Sequence, residues 1–205
     1  MTAAFLTRRS ETPRPALQFH EQVSLTTGRA HEICGPARWT LALWLAAATS
    51  GPVLWIAPAW RPDQLHGDGV ADTLCPGRLL FVRPGRAEDL LWCMEESLRS
   101  GAVPLVICEL PEPPPLTPVR RLHLAADQGG QMGKPPLGLI LTPGDGGAAG
   151  VETRWHMTAA HKSGQPGWQL ERRRARTLPP CAWIATRPDG TVRLHHAPLS
   201  EAARP

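Results

Sequence analysis

The stretch Ala87 to Leu110, AEDLLWCMEESLRSGAVPLVICEL, narrows the possible folds more than any other part of the chain. Apolar side chains recur at Leu90, Leu91, Met94 and Leu98, the spacing of a one-faced helix. Glu88 and Asp89 stand near its N-terminus and Arg99 near its end, as the helix dipole prefers, and Gly101 closes it. Val103 to Leu110 is then apolar without alternation, so the strand it forms is covered on both faces. The same grammar recurs along the chain. Ala30 to Cys34 is a short strand and Trp39 to Ala48 a dense run of apolar helix formers; Pro52 to Ala57, Arg78 to Val82 and Leu137 to Thr142 are further strands. Residues 58–69 read as a loop leading into a short helix around Asp63-Gln64-Leu65, and Thr117-Pro118 as the cap that opens a helix over Val119 to Asp127. Strands alternating with helices predict an α/β fold with a mostly parallel sheet flanked by helices. From Val151 the rhythm changes to strands alone, Val151 to Thr158, Trp168 to Arg176, Cys181 to Thr186 and Thr191 to His195, which predicts a C-terminal antiparallel β extension.

A chain of 205 residues with 42% hydrophobic content supports one core without disulfides or metal. The expected organisation is a tail over 1–16, a single domain over 17–197 and a second tail over 198–205, with Leu17 to Leu25 forming one or two helical turns on the domain edge. Five Cys contain no C-x-x-C pair, and Cys34, Cys93 and Cys108 lie inside apolar runs as small core residues do. That pattern fits a reducing compartment, the cytoplasm. No stretch approaches the length needed to cross a bilayer, and the first residues lack the apolar core of a secretion signal, so a soluble, unprocessed chain without membrane contact is expected. The net charge is +4, and among 22 Lys+Arg the only lysines are Lys134 and Lys162. Tyr is absent and Trp occurs eight times, so Trp is the only large ring present in quantity.

The segment Gly28 to Ala48, GRAHEICGPARWTLALWLAAA, places a strand before a Gly-Pro turn and a helix, the arrangement that holds phosphate when the turn is long and ends in Gly-Lys-[Ser/Thr]. Here Gly35-Pro36-Ala-Arg-Trp-Thr40 has neither the second Gly nor the Lys. Glu32-Ile-Cys-Gly-Pro36 followed by Thr40-Leu-Ala-Leu43 nevertheless resembles the phosphate-loop neighbourhood of RecA-type recombinases, with the loop itself shortened out. Pro84 to Glu109 resembles the segment of those proteins that leads into the Walker B strand, and puts Glu109 where they carry an Asp. Ala57-Pro58-Ala59-Trp60 stands where they carry a catalytic Glu. More closely, from about Gly28 to about Trp183 the chain resembles the RecA-related accessory proteins of the SOS mutagenesis cassette, the ImuA family. The resemblance implies a RecA-like fold without ATPase activity, acting as an adaptor in damage-induced translesion DNA synthesis. It implies as partners a Y-family-like polymerase homologue, an error-prone DNA polymerase, the RecA recombinase, and DNA met directly or through them.

No catalytic residue, cofactor or metal is expected. Gly35, Pro36, Thr40 and Glu109 are the remnant of a nucleotide site; otherwise Glu109 is a strand-end carboxylate on the surface. His156, His161, His195 and His196 lack the paired spacing of zinc ligands. Arg172, Arg173, Arg174 and Arg176 form the strongest basic cluster. On a strand, Arg172, Arg174 and Arg176 share a face, either as a row for a phosphate backbone or an acidic partner, or as charges protecting a sheet edge. Arg120-Arg121 is a weaker patch. The segments that match the DNA-contacting loops of recombinases, Gln128 to Pro136 and Pro143 to Gly150, contain only Lys134 as a cation, and the second has no evident anchor. The alternatives to an adaptor are a RecA-like regulatory ATPase and a basic single-stranded DNA-binding module.

Overall fold

The computed structural model describes residues 14–200. A hairpin of β1 (Ala16–His20) and β2 (Val23–Thr26) precedes the main sheet. Then follow β3 (Arg29–Cys34), α1 (Arg38–Ala47), β4 (Val53–Ile56), the short α2 (Gly67–Ala71), β5 (Leu79–Val82) and α3 (Ala87–Ser100). After these come β6 (Leu105–Glu109), α4 (Leu116–Gly130), β7 (Leu137–Leu141) and β8 (Thr153–Ala159). The chain closes with β9 (Trp168–Ala175), β10 (Cys181–Thr186) and β11 (Arg193–Ala197). Nine strands make one sheet in the order β11-β10-β9-β8-β3-β7-β6-β4-β5. From β8 to β5 all pairings are parallel, and β9, β10 and β11 add on antiparallel.

Strict alternation along the central strands divides the core between two faces. In β6, Leu105 and Ile107 face α1 and the β1–β2 hairpin, while Val106 and Cys108 face α3 and α4. Leu90, Met94 and Leu98 are fully buried against that second face, with Leu91 half-buried beside them, as the helical spacing predicts. Gly101 ends α3 at φ +62, and a Cβ there would stand 2.5 Å from the Gly129 carbonyl oxygen of α4. The two helices therefore meet backbone to backbone at this end.

Several local expectations change. Leu17 to Leu25 is a hairpin, with Leu17 opposite Leu25, because Val23 and Leu25 are buried on either side of exposed Ser24, a period of two. Ala16 already belongs to β1, and the backbone N–H of Ser200 donates to Glu171, so the parts of both expected tails that fall within the described residues are built into the fold; 1–13 and 201–205 lie outside them. The short helix forms at Gly67–Ala71, after Asp63-Gln64-Leu65. α4 starts at Leu116 with Pro115 at its N-cap, so Thr117-Pro118 lies inside its first turn, and it continues through Gln128 to Gly130.

A buried polar chain fixes the start of the sheet. Trp155 Nε1 donates to Thr153 Oγ1 at 2.7 Å, Thr153 Oγ1 meets His31 Nδ1 at 2.7 Å, and His31 Nε2 meets the Thr26 carbonyl at 2.9 Å. A carbonyl only accepts, so His31 carries its proton on Nε2 and receives the Thr153 hydroxyl at Nδ1. Burial pushes its pKa down to about 4.

Two outcomes follow. Leu98→Ala lowers unfolding stability by about 2 to 5 kcal/mol, measured by urea denaturation, since its side chain is wholly enclosed. For His31 the unfolded chain takes up the proton first, so stability is full above the ordinary pKa of 6.5 and is lost as pH falls toward about 4. Unfolding midpoints across that window decline in the native protein and decline less in His31→Gln.

Candidate functional site

The turn after β3 is the feature most like a ligand cradle, and its backbone is already engaged. Gly35 has φ +90, and a Cβ there would stand 2.4 Å from the Met157 carbonyl oxygen and 2.8 Å from His156 Nε2. Only glycine fits so close to β8. Its N–H donates to the Gly144 carbonyl at 2.9 Å, that of Ala37 to the Met157 carbonyl at 3.0 Å, and that of Arg38 to Gly35 at 3.3 Å. These are the donors that a phosphate cradle leaves open. Pro36 has no N–H to offer. α1 begins without a side-chain cap and without an acidic residue in its first turn. Arg38 folds back to donate to the Gly35 carbonyl at 3.1 Å, and burial, then the nearby Arg61, lowers its pKa.

Glu109, at the end of β6, is not a surface carboxylate. It is 4% exposed, and its Oε1 accepts Trp55 Nε1–H at 2.7 Å while its Oε2 accepts Trp39 Nε1–H at 3.2 Å. Arg61 stands 3.7 Å from Oε2. Burial raises its pKa, against the pull of Trp55, Arg61, Arg38 and Trp39 toward the charged form. Trp39 belongs to the first turn of α1 and Trp55 to β4, so one carboxylate ties three elements together. Thr40, one residue on from Trp39, lines a cleft beside Trp44 and Trp168 rather than this group.

The segment 143–150 has an anchor that its sequence conceals. Glu32, fully buried in β3, accepts the N–H of Gly147 at 2.8 Å and of Ala148 at 3.0 Å, the Thr142 hydroxyl at 2.7 Å, and Arg154 Nε. A Cβ on Gly146 would come within 2.7 Å of Glu32 Oε1. The carbonyl of Gly144 in turn closes the Gly35 turn. This segment is pinned over the sheet, with glycine required at Gly146 by the close approach.

The arginine cluster splits. β9 lies between β8 and β10, so it is an interior strand and edge protection does not apply to it. Arg172 is 7% exposed, its guanidinium carbon 5.8 Å from the Trp155 ring centre and 5.4 Å from that of Trp183. Its Nε and Nη2 both donate to the Pro179 carbonyl at 3.1 Å. It is a core side chain, held by two aromatic faces, and the expected three-guanidinium row does not reach the surface. Arg173 points to the opposite face, donating to Glu171 at 2.9 Å and Asp145 at 2.7 Å. Arg174 and Arg176 are exposed. Of the weaker patch, Arg121 pairs with Glu95 at 2.7 Å.

A further constellation has no signal in the sequence. Register places Cys34 of β3 beside His156 of β8, and His156 beside Glu171 of β9. A Cys-His-Glu row can generate a nucleophile, but here the thiol is fully buried, meets the Trp155 carbonyl at 3.4 Å, and is pushed up to about 12 by burial and by Glu32. It stays a thiol at neutral pH. Of the four histidines weighed as metal ligands, His161, His195 and His196 are exposed, the last two on β11. Among the described residues no group of three His, Cys, Asp or Glu is placed to hold a metal, all five cysteines are free, and no helix is long and apolar enough to cross a membrane.

No family model matches the chain, and no curated protein matches it.

Replacing Glu109 by Ala orphans two indole N–H groups inside the fold, one of them wholly buried. The expected loss is about 2 to 4 kcal/mol in unfolding stability, with altered tryptophan emission in the native state reporting the freed rings.

Proposed function

We propose that this chain is a RecA-like adaptor without nucleotide chemistry, acting in SOS-induced translesion DNA synthesis alongside a Y-family-like polymerase homologue and an error-prone DNA polymerase. The observation that carries the non-catalytic part is that the backbone donors of the Gly35 turn are bonded to Gly144 and Met157 while both oxygens of Glu109 accept tryptophan donors. A triphosphate needs donors from the turn and a Lys on its β and γ phosphates, and a carboxylate free to reach Mg²⁺. Supplying them here would mean breaking the contacts that join α1 to the sheet. The adaptor part rests on the resemblance of Leu90 to Leu110 and Leu116 to Ala126 to the ImuA family. These segments form most of α3, β6 and most of α4, with the two helices packed on one face of β6. The RecA recombinase and DNA are further partners on the same reading.

Two measurements test the two parts separately. Calorimetry with ATP and Mg²⁺ is expected to give no micromolar binding, and a saturable isotherm would restore the regulatory ATPase reading. Tagged protein recovered from DNA-damaged cells is expected to carry a polymerase-like partner identifiable by mass spectrometry. Recovery with no DNA-synthesis protein, from cells where the tagged chain still supports damage-induced mutagenesis, would overturn the adaptor part.

A further inference from the structure

The loops that close β8 to β9 and β10 to β11 overhang α1 and leave a cleft of about 580 Å³, walled by Thr40 and Trp44 of α1, Trp168 of β9, Gln165, Arg187 and Arg193. A second depression of about 370 Å³ shares Gln165, Pro166 and Thr186 with it and adds Lys162 and His195. Neither is lined by a carboxylate, although the chain has 18 Asp+Glu. Asp72 and Asp189 adjoin the rim in sequence and line neither depression.

The cations in this cleft are held or left free in a way that favours an anionic ligand. Arg187 donates to Thr73 Oγ1 at 2.8 Å, to the Gly190 carbonyl at 3.0 Å and to the Asp72 carbonyl at 3.3 Å. All three acceptors are neutral oxygens, so its position is fixed while its charge is not neutralised. Lys162 and Arg193 are exposed and form no ion pair among the described residues. Beside them the half-buried Trp168 ring is locked edge-on against Trp44, with centroids 5.0 Å apart, and against His161 at 5.3 Å. A fixed indole next to fixed and free cations is the combination that stacks a base while tracking phosphates. Two depressions sharing a wall suit successive nucleotides of a strand better than one small anion. An acidic peptide would satisfy the charges but leave the indole unused.

We propose that this cleft binds single-stranded nucleic acid, with Arg187, Arg193 and Lys162 contacting phosphates and Trp168 stacking a base. It rests on the adaptor reading only in giving that reading its DNA contact, and it puts the contact at the α1–β9 cleft rather than on the Arg172 to Arg176 stretch or the segment 143–150.

The test is fluorescence anisotropy of a labelled oligothymidylate with the full chain at several salt concentrations. Binding is expected to weaken as salt rises. In Lys162→Gln/Arg193→Gln, whose two side chains are exposed and hold no other part of the fold in place, affinity at low salt is expected to fall about tenfold and the slope of log K against log salt by roughly 1.4, about 0.7 for each phosphate no longer neutralised. Arg174→Gln/Arg176→Gln is expected to bind as the native chain does, and polyglutamate to compete far less well than unlabelled oligothymidylate. No binding by the native chain at low salt, an unchanged affinity in the Lys162/Arg193 variant, loss confined to the Arg174/Arg176 variant, or equal competition by polyglutamate would each overturn the proposal. No partner protein enters the assay, so its failure leaves the partner reading intact, and loss of the partners leaves the cleft intact.

Discussion

The hydrogen bonds from Trp39 and Trp55 to Glu109 are the constraint on which the centre of this fold depends. A parallel sheet carries its strand ends to one edge, where backbone and side-chain polar groups accumulate and ligands ordinarily satisfy them. Here the protein satisfies them itself. Glu109 takes an indole from α1 and another from β4, and Arg61 from the following loop approaches its open side. The carboxylate is costly to bury, as its raised pKa shows, and it is retained with both oxygens paired. Removing either indole leaves a buried acceptor unpaired, so the three side chains stand as a unit that sets how α1 lies on the sheet.

A second carboxylate does the same for the neighbouring strand. Glu32 gathers Thr142, Gly147, Ala148 and Arg154 and holds the segment 143–150 down over the ends of β3 and β8. The carbonyl of Gly144 then reaches the Gly35 N–H, so the turn that resembles a phosphate cradle is closed from the side by a loop held from below. Each link depends on the one before it: Glu32 positions the segment, the segment positions Gly144, and Gly144 occupies the turn.

The strands and helices are legible in the sequence where the hydrophobic period is unambiguous. α3 matches its predicted span, and the apolar runs of β4, β6 and β7 appear as buried parallel strands. What the sequence conceals is long-range. Nothing local to Glu109 says that Trp39 and Trp55, 70 and 54 residues away, will donate to it. Nor does the run 143–150 show that Gly146 serves a close approach to Glu32, or that Gly147 will donate to it from 115 residues away. Leu17 to Leu25 departs from expectation for a different reason, since a segment this short with apolar positions at either period does not separate a helical turn from a hairpin.

Arg172 lies on a strand whose period of two is broken within the arginine run. Alternation along β9 breaks at a register shift: Trp155 pairs with Arg172 but its neighbour Arg154 pairs with Arg174, so Arg172 and Arg174 lie on opposite faces, the first buried and the second exposed. The extra residue on β9 inverts the faces beyond it. Arg172 stands between Trp155 of β8 and Trp183 of β10, and the chain leaving β9 folds back to bring the Pro179 carbonyl onto its guanidinium, whereas Arg174, opposite Arg154, points to the other face. A guanidinium is planar and weakly hydrated, so two aromatic faces and a carbonyl suffice to bury it where an ammonium would remain in water. The most conspicuous basic run in the sequence therefore spends its first residue on the core and its second on Glu171 and Asp145. The cations left unneutralised around an aromatic face are Lys162, Arg187 and Arg193, which are scattered in sequence and drawn together only when the β8–β9 and β10–β11 connections close over α1.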